Sequence, residues 1–147
     1  MIVADLLLPL GRLFVALVLV LLNGFFVASE FAFVRIRSTS VERLVEEERP
    51  GADSLAVAVD SLDDYLAVTQ LGITVSSLGL GWAGEPAVAA LIEPVAASFL
   101  PQSAVHLVAF ALGFGFITFL HVDFGELVPK TLSIQRADQV SLLVAPP

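Results

Sequence analysis

Long apolar runs alternate with short charged ones along this chain, and the runs have the length of a bilayer. Leu13–Ser29 carries no formal charge over 17 residues, Tyr65–Gly84 none over 20, and the stretch from Pro94 to Val122 is longer still. About 20 predominantly apolar residues let a helix cross the hydrocarbon core. The pattern predicts an all-α membrane protein with three transmembrane helices, at Leu6–Val34, Tyr65–Gly84 and Gln102–Lys130. Small residues recur in the second span (Gly72, Ser76, Gly79, Gly81) and the third (Gly113, Gly115), where they let helices pack closely within a subunit or a dimer.

The connecting segments carry their own periodicity. Ser38–Arg49 places Val41, Leu44 and Val45 on one face, and Pro50-Gly51 breaks it; Ala52–Leu62 is amphipathic again. These are predicted as short amphipathic juxtamembrane helices. Glu85–Pro101, with Pro86, Pro94 and Pro101, is predicted as an outer loop holding a short interfacial helix. Val140–Val144 turns apolar once more before Pro146-Pro147, so the chain is expected to be a truncated piece of a longer protein.

Composition sharpens the class. Hydrophobic residues are 57% of the chain and charged ones 15%, against roughly 25% charged in an average soluble domain. Without cysteine there is neither a disulfide framework nor a thiolate metal site. The net charge of -8, concentrated between Glu42 and Asp64, argues against nucleic acid as a partner. Leu13–Ser29 exceeds the 7–15 residue core of a signal peptide, and its N-terminal flank, with Asp5 and Arg12, is not basic. Arg35, Arg37, Arg43 and Arg49 follow the first span and Lys130 and Arg136 the third, while the second connection has no Lys or Arg. The positive-inside rule therefore places the N-terminus outside the cell membrane and the C-terminus in the cytoplasm.

The candidate chemistry lies at the end of the third span. Asp123, Glu126 and Lys130 arrive within two turns, beside Gly125 and Pro129. An ionisable group at membrane depth costs on the order of 2.5–3.5 kcal/mol and is functional by default. In a helix, Pro129 lacks an N–H and its ring crowds the carbonyl four residues earlier, which belongs to Gly125. One reading is a broken helix with a bare backbone oxygen beside the Glu126 carboxylate, the device by which transporters bind cations. The other is that Pro129 ends the span and Glu126 sits among headgroups.

Polar residues also line the other spans. Gln70, Thr74 and Ser77 share a face of the second; Asn23 and Glu30, with Ser29 adjacent, nearly share one of the first. The set is rich in oxygen and free of sulfur, as hard cations such as Mg²⁺ or Ca²⁺ require. His106 is expected at the outer interface, and His121 either lines the path or bonds a neighbouring helix. Taken singly, each such residue is more often interhelical glue or self-bonded hydroxyl, and Glu30 could simply pair with Arg35 or Arg37. Catalysis has no footing: the chain has neither a Gly-x-Ser-x-Gly elbow nor His-Glu-x-x-His.

Three motifs, in order, complete the picture: Leu22-Asn23-Gly24-Phe25-Phe26-Val27-Ala28-Ser29-Glu30-Phe31-Ala32, Gln70-Leu71-Gly72-Ile73-Thr74, and Gly125-Glu126-Leu127-Val128-Pro129-Lys130. Together they resemble the CorC / cyclin-M (CNNM) family of magnesium transporters, also called haemolysin-C-like. The resemblance implies a homodimer in the lipid bilayer, Mg²⁺ as the transported ion, export as the direction and Na⁺ as a coupling ion. It implies a third helix broken at Gly-Glu-x-x-Pro, with Ser29, Ser77, the Gly125 carbonyl and Glu126 as metal ligands. Asn23, Glu30, Gln70, Thr74, His121, Asp123 and Lys130 are then candidates for the path or its surroundings. It also implies a belt helix and ATP-binding CBS modules beyond this stretch. A non-transporting scaffold or Mg²⁺ sensor acting through such modules is the alternative. Two departures stand out: Ser77 where some members have Asn, and Asp123 where an aliphatic residue is usual.

Overall fold

The computed structural model describes residues 2–146, with side chains from residue 6; Pro147 and the side chain of Asp5 lie outside the described residues. Three long helical columns build the domain. The first is α1 (Ile2–Arg35). After two short helices, α2 (Ser38–Glu46) and α3 (Ala52–Asp60), comes α4 (Leu62–Ala96). The third column is α5 (Gln102–Leu120), a π-helix (His121–Leu127) and α6 (Val128–Gln135), and α7 (Ala137–Val144) follows. Each column contains a helix long and apolar enough to span a membrane.

What is buried and what is exposed invert the pattern of a water-soluble protein. Among the described residues the contacts between columns are made by Ala16, Asn23, Ser29, Ala32, Thr69, Ser76, Ala83 and Ala109, while Leu7, Phe14, Leu21, Leu78, Trp82 and Leu107 are exposed. Lipid is as apolar as leucine, so large side chains gain nothing by turning inward; close backbone approach supplies the packing. Ala16, Val20, Leu80, Val88 and Ile117 form the apolar contact shared by all three columns.

The small residues act at specific crossings. A Cβ on Gly113 would stand 3.1 Å from the Ala89 nitrogen and 3.2 Å from the Glu85 carbonyl oxygen, backbone atoms that cannot turn aside. Gly115 has nothing within 4 Å. Gly113→Leu is therefore expected to lower the thermal midpoint of the full-length protein in detergent markedly, by the ~1–3 kcal/mol typical of overpacking. Gly115→Leu should leave it unchanged; equal effects of the two would contradict this packing.

At the end of the bundle where α1 finishes, Phe33 and Ile36 meet Val41 and Leu44 of α2, Leu55 and Ala58 of α3, and Val144 of α7. This accounts for the apolar run at Val140–Val144, which closes a second core. α2 ends with Glu48 in the left-handed region (φ 51°), where the Arg49 N–H donates to the Leu44 carbonyl and the Glu48 N–H to the Val45 carbonyl. Gly51 (φ 86°) then turns the chain where a Cβ would lie 2.6 Å from the Leu142 carbonyl oxygen, so glycine is required.

The expected outer loop is corrected. α4 runs through Pro86 and Pro94 to Ala96, and the connection is only residues 97–101. A proline inside a membrane helix costs one hydrogen bond, which neighbouring helices and small backbone adjustments offset. Here Ala83, Gly84, Ala87 and Val88 on either side of Pro86 are buried, and the helix continues through it.

Candidate functional site

The third column is not unwound at Gly125. It is wound more loosely, as a π-helix over His121–Leu127, in which the Val128 N–H reaches the Asp123 carbonyl five residues back. The cause lies in Pro129, which cannot donate to the Gly125 carbonyl and would collide with it in a regular α-turn. π-turns of this kind occur mostly at functional positions.

The Gly125 carbonyl is not bare. Asn23, completely buried, donates to it from Nδ2 at 2.9 Å. Gly24 makes the approach possible: a Cβ there would lie 3.1 Å from Pro129 Cγ and 3.3 Å from the Phe124 carbonyl oxygen. With Nδ2 committed, Asn23 Oδ1 is an acceptor, and the Ser77 hydroxyl donates to it at 3.1 Å. Serine has one proton. The 3.0 Å contact between Ser77 Oγ and His121 Nε2 must then be donated by histidine. The same His121 N–H lies 3.3 Å from Glu126 Oε1. A directed chain thus runs from His121 through Ser77 and Asn23 to Gly125, with Glu126 at its head, and it joins all three columns. Asn23 precedes Arg35 by 12 residues, about 18 Å along the helix.

The other sequence candidates take no part in this chain of hydrogen bonds. Ser29 is buried, but its hydroxyl donates to the Phe25 carbonyl of its own helix at 2.8 Å. Thr74 is exposed and bonds the Gln70 carbonyl, and Gln70 is exposed too. The buried stripe of α4 runs through Thr69, Ser76, Leu80, Ala83 and Ala87, and Ser77 lies at its margin while Gln70 and Thr74 lie off it. Among the described residues Glu30 forms no ion pair with Arg35 or Arg37, and Asp123 none with Lys130 or His121. Lys130 instead places its ammonium 4.6 Å from the centre of the Phe31 ring. His106 is exposed and bonds Glu93 Oε1 at 2.7 Å. No three His, Asp or Glu side chains gather at ligating distance among the described residues.

Sequence reasoning undervalued two residues. Asn23 was placed beside the site and is its hub. Glu85, the first residue of the expected outer loop, lies within α4 and lines two adjoining cavities. One, of about 390 Å³, reaches from Glu85 past Gly81 and Thr118 to Ser77 and His121. The other, of about 380 Å³, continues from Glu85 and Phe110 to Glu93 and His106 at the end of the column. The signal in the sequence is a single carboxylate between the uncharged run Tyr65–Gly84 and the apolar residues 86–92.

A family model described as the Cyclin M transmembrane N-terminal domain matches residues 14–147. The chain belongs to that family. The Cyclin M domain is a non-catalytic membrane module, and its match covers the π-helix, Asn23 and Ser77 alike. The chain is similar to the UPF0053 protein YhdT of Bacillus subtilis, at 49% identity over 131 residues, 88% of this chain and 28% of that protein. It is similar to YrkA of the same organism at 43% identity over 137 residues, 92% of this chain and 32% of that protein. The uncharacterized protein Rv1841c of Mycobacterium tuberculosis is 35% identical over 139 residues, 94% of this chain and 39% of that protein. This Cyclin M domain therefore spans about a third of the length of the curated relatives it matches.

Proposed function

We propose that the domain carries Mg²⁺ across the membrane, as a substrate held in passage at the π-helix. The observation that carries this reading is the chain linking Asn23, Ser77, His121, Gly125 and Glu126 across the three membrane-spanning columns. Each of its oxygens keeps a lone pair: Asn23 Oδ1, Ser77 Oγ and the Gly125 carbonyl are neutral, and Glu126 supplies the charge. Ser29 retains its lone pairs while donating to Phe25 and completes the proposed ligand set. Such an all-oxygen set fits Mg²⁺. One carboxylate among neutral oxygens also suits an ion that must leave again, since conduction needs binding that is favourable but not deep.

The cavities through Glu85 offer the route between this site and the far end of the columns. In the proposed orientation, with the N-terminus outside, that end is extracellular and the direction is export, coupled to Na⁺. The working unit is a homodimer in the cell membrane, regulated by the ATP-binding CBS modules beyond this stretch. Mg²⁺ flux in proteoliposomes holding the full-length protein tests the reading: flux supports it, and binding without flux would favour a sensor or scaffold. Glu85→Gln is expected to cut flux about tenfold while leaving Mg²⁺ binding intact, because it removes a charge from the route and none from the ligands. Unaltered flux in that variant would remove Glu85 from the route.

A further inference from the structure

A cavity of about 760 Å³ lies at the opposite end from Glu93 and has no part in the ion site. It opens where α1 and α6 finish, and Arg35, Arg37 and Arg136 line it together with Ser40, Asp138 and Gln139. Residues a hundred positions apart thus bring three guanidinium groups to one concavity. Its one carboxylate, Asp138, is already engaged by Arg43 Nη2 at 3.0 Å. Among the described residues Arg35, Arg37 and Arg136 make no ion pair.

The backbone adds to the charge. The N-cap residues of α2 and α7 are Arg37 and Arg136, and neither makes a side-chain cap. Arginine has no acceptor, so it cannot cap the first-turn N–H groups. The first turn of α7, Ala137–Gln139, therefore presents N–H donors at the cavity, the arrangement that binds phosphate and other oxyanions, whereas at α2 the lining Ser40 N–H is already donated to the Arg37 carbonyl. α1 and α6 bring their carbonyl ends to the same level, but about half a charge from each is outweighed by three arginines.

From this convergence we propose that the cavity binds the phosphate of an anionic membrane phospholipid. The position selects the source, because the cavity opens where two membrane-spanning columns end, at headgroup level, and basic pockets between helices on the cytoplasmic side take acidic headgroups. Guanidinium forks match the phosphate oxygens in pairs. A bound lipid would bridge α1–α2 to α6–α7 and fix the end of the column that carries the π-helix.

The test is native mass spectrometry of the full-length protein with phosphatidylglycerol or phosphatidylcholine, with a thermal melt alongside. Wild type is expected to retain phosphatidylglycerol preferentially and to melt higher with it. Each arginine contributes about fivefold, so the triple variant Arg35→Gln/Arg37→Gln/Arg136→Gln should lose about a hundredfold in retention. Arg49→Gln, on the same connection but outside the cavity, should lose none. The triple Lys variant, which keeps the charge, controls for folding and should recover part of the binding. Equal retention of both lipids, equal loss in Arg49→Gln, or undiminished retention in the triple Gln variant would each overturn the proposal. Displacement of the lipid by millimolar inorganic phosphate would overturn the lipid assignment in favour of a soluble phosphate compound.

Discussion

Glu126→Gln is expected to abolish Mg²⁺ flux while leaving the protein folded. Glu126 carries the single full negative charge in the network, and its side chain bonds no group except His121. Without that carboxylate only neutral oxygens would face the cation, and since affinity for a hard cation follows the charge count of its ligands, binding should fall by roughly tenfold or more. The fold should not suffer, because the side chain is 46% exposed and holds no other column in place. Flux in proteoliposomes and a thermal melt, run on the full-length protein and this variant, check both halves. Glu126→Asp, which keeps the charge and shortens its reach, should retain part of the flux. Full flux in Glu126→Gln would mean that the ion does not pass this carboxylate.

Asn23→Leu is expected to do something different, and the contrast is informative. Leucine shares the branched heavy-atom skeleton of asparagine, though it is bulkier, and can neither donate to Gly125 nor accept from Ser77. Two groups would lose their partners, one of them the buried Gly125 carbonyl. An orphaned buried polar group costs roughly 1–3 kcal/mol, although hydrogen bonds between membrane helices average nearer 0.6 kcal/mol. The melt should therefore fall clearly, and flux should vanish with it, since the π-turn loses the contact that aims its carbonyl. Asn23→Leu thus lowers stability and flux together, whereas Glu126→Gln lowers flux alone. A stable Asn23→Leu variant with normal flux would reduce the chain to incidental packing.

Much of the architecture was legible because the bilayer imposes a length. Three charge-free runs, set off by Arg35, Asp63-Asp64 and Lys130, located the columns to within a few residues at most ends. The end of α4 was missed: Pro86 and Pro94 suggested a loop, but membrane helices continue through proline when neighbours satisfy the backbone. The apolar tail at Val140–Val144 looked unexplained because its partners, Val41, Leu44 and Leu55, lie about a hundred residues earlier.

The site was legible in its chemistry more than in its geometry. Gly125, Glu126 and Pro129 announced an irregular helix, since a proline four residues after a carbonyl has few outcomes. Which irregularity follows depends on a partner: with Asn23 able to donate across the interface, the column widens into a π-turn instead of breaking. Helical periodicity put Gln70, Thr74 and Ser77 on one face. It could not show which margin of α4 meets α1 and His121, and Ser77 alone of the three does. Glu85 was hidden by its own proline neighbour, which drew it into a loop that does not exist.

The central claim is that a divalent cation enters the membrane-embedded network at the π-helix. Anomalous diffraction from crystals of the full-length protein grown with Mn²⁺, an oxygen-seeking stand-in for Mg²⁺, tests it most directly. The account predicts one manganese peak per protomer at bonding distance from the Glu126 carboxylate and the Gly125 carbonyl, with His121 turned aside. Manganese found only at surface carboxylates such as Asp63 and Asp64, with the Asn23–Ser77–His121 chain closed, would contradict it.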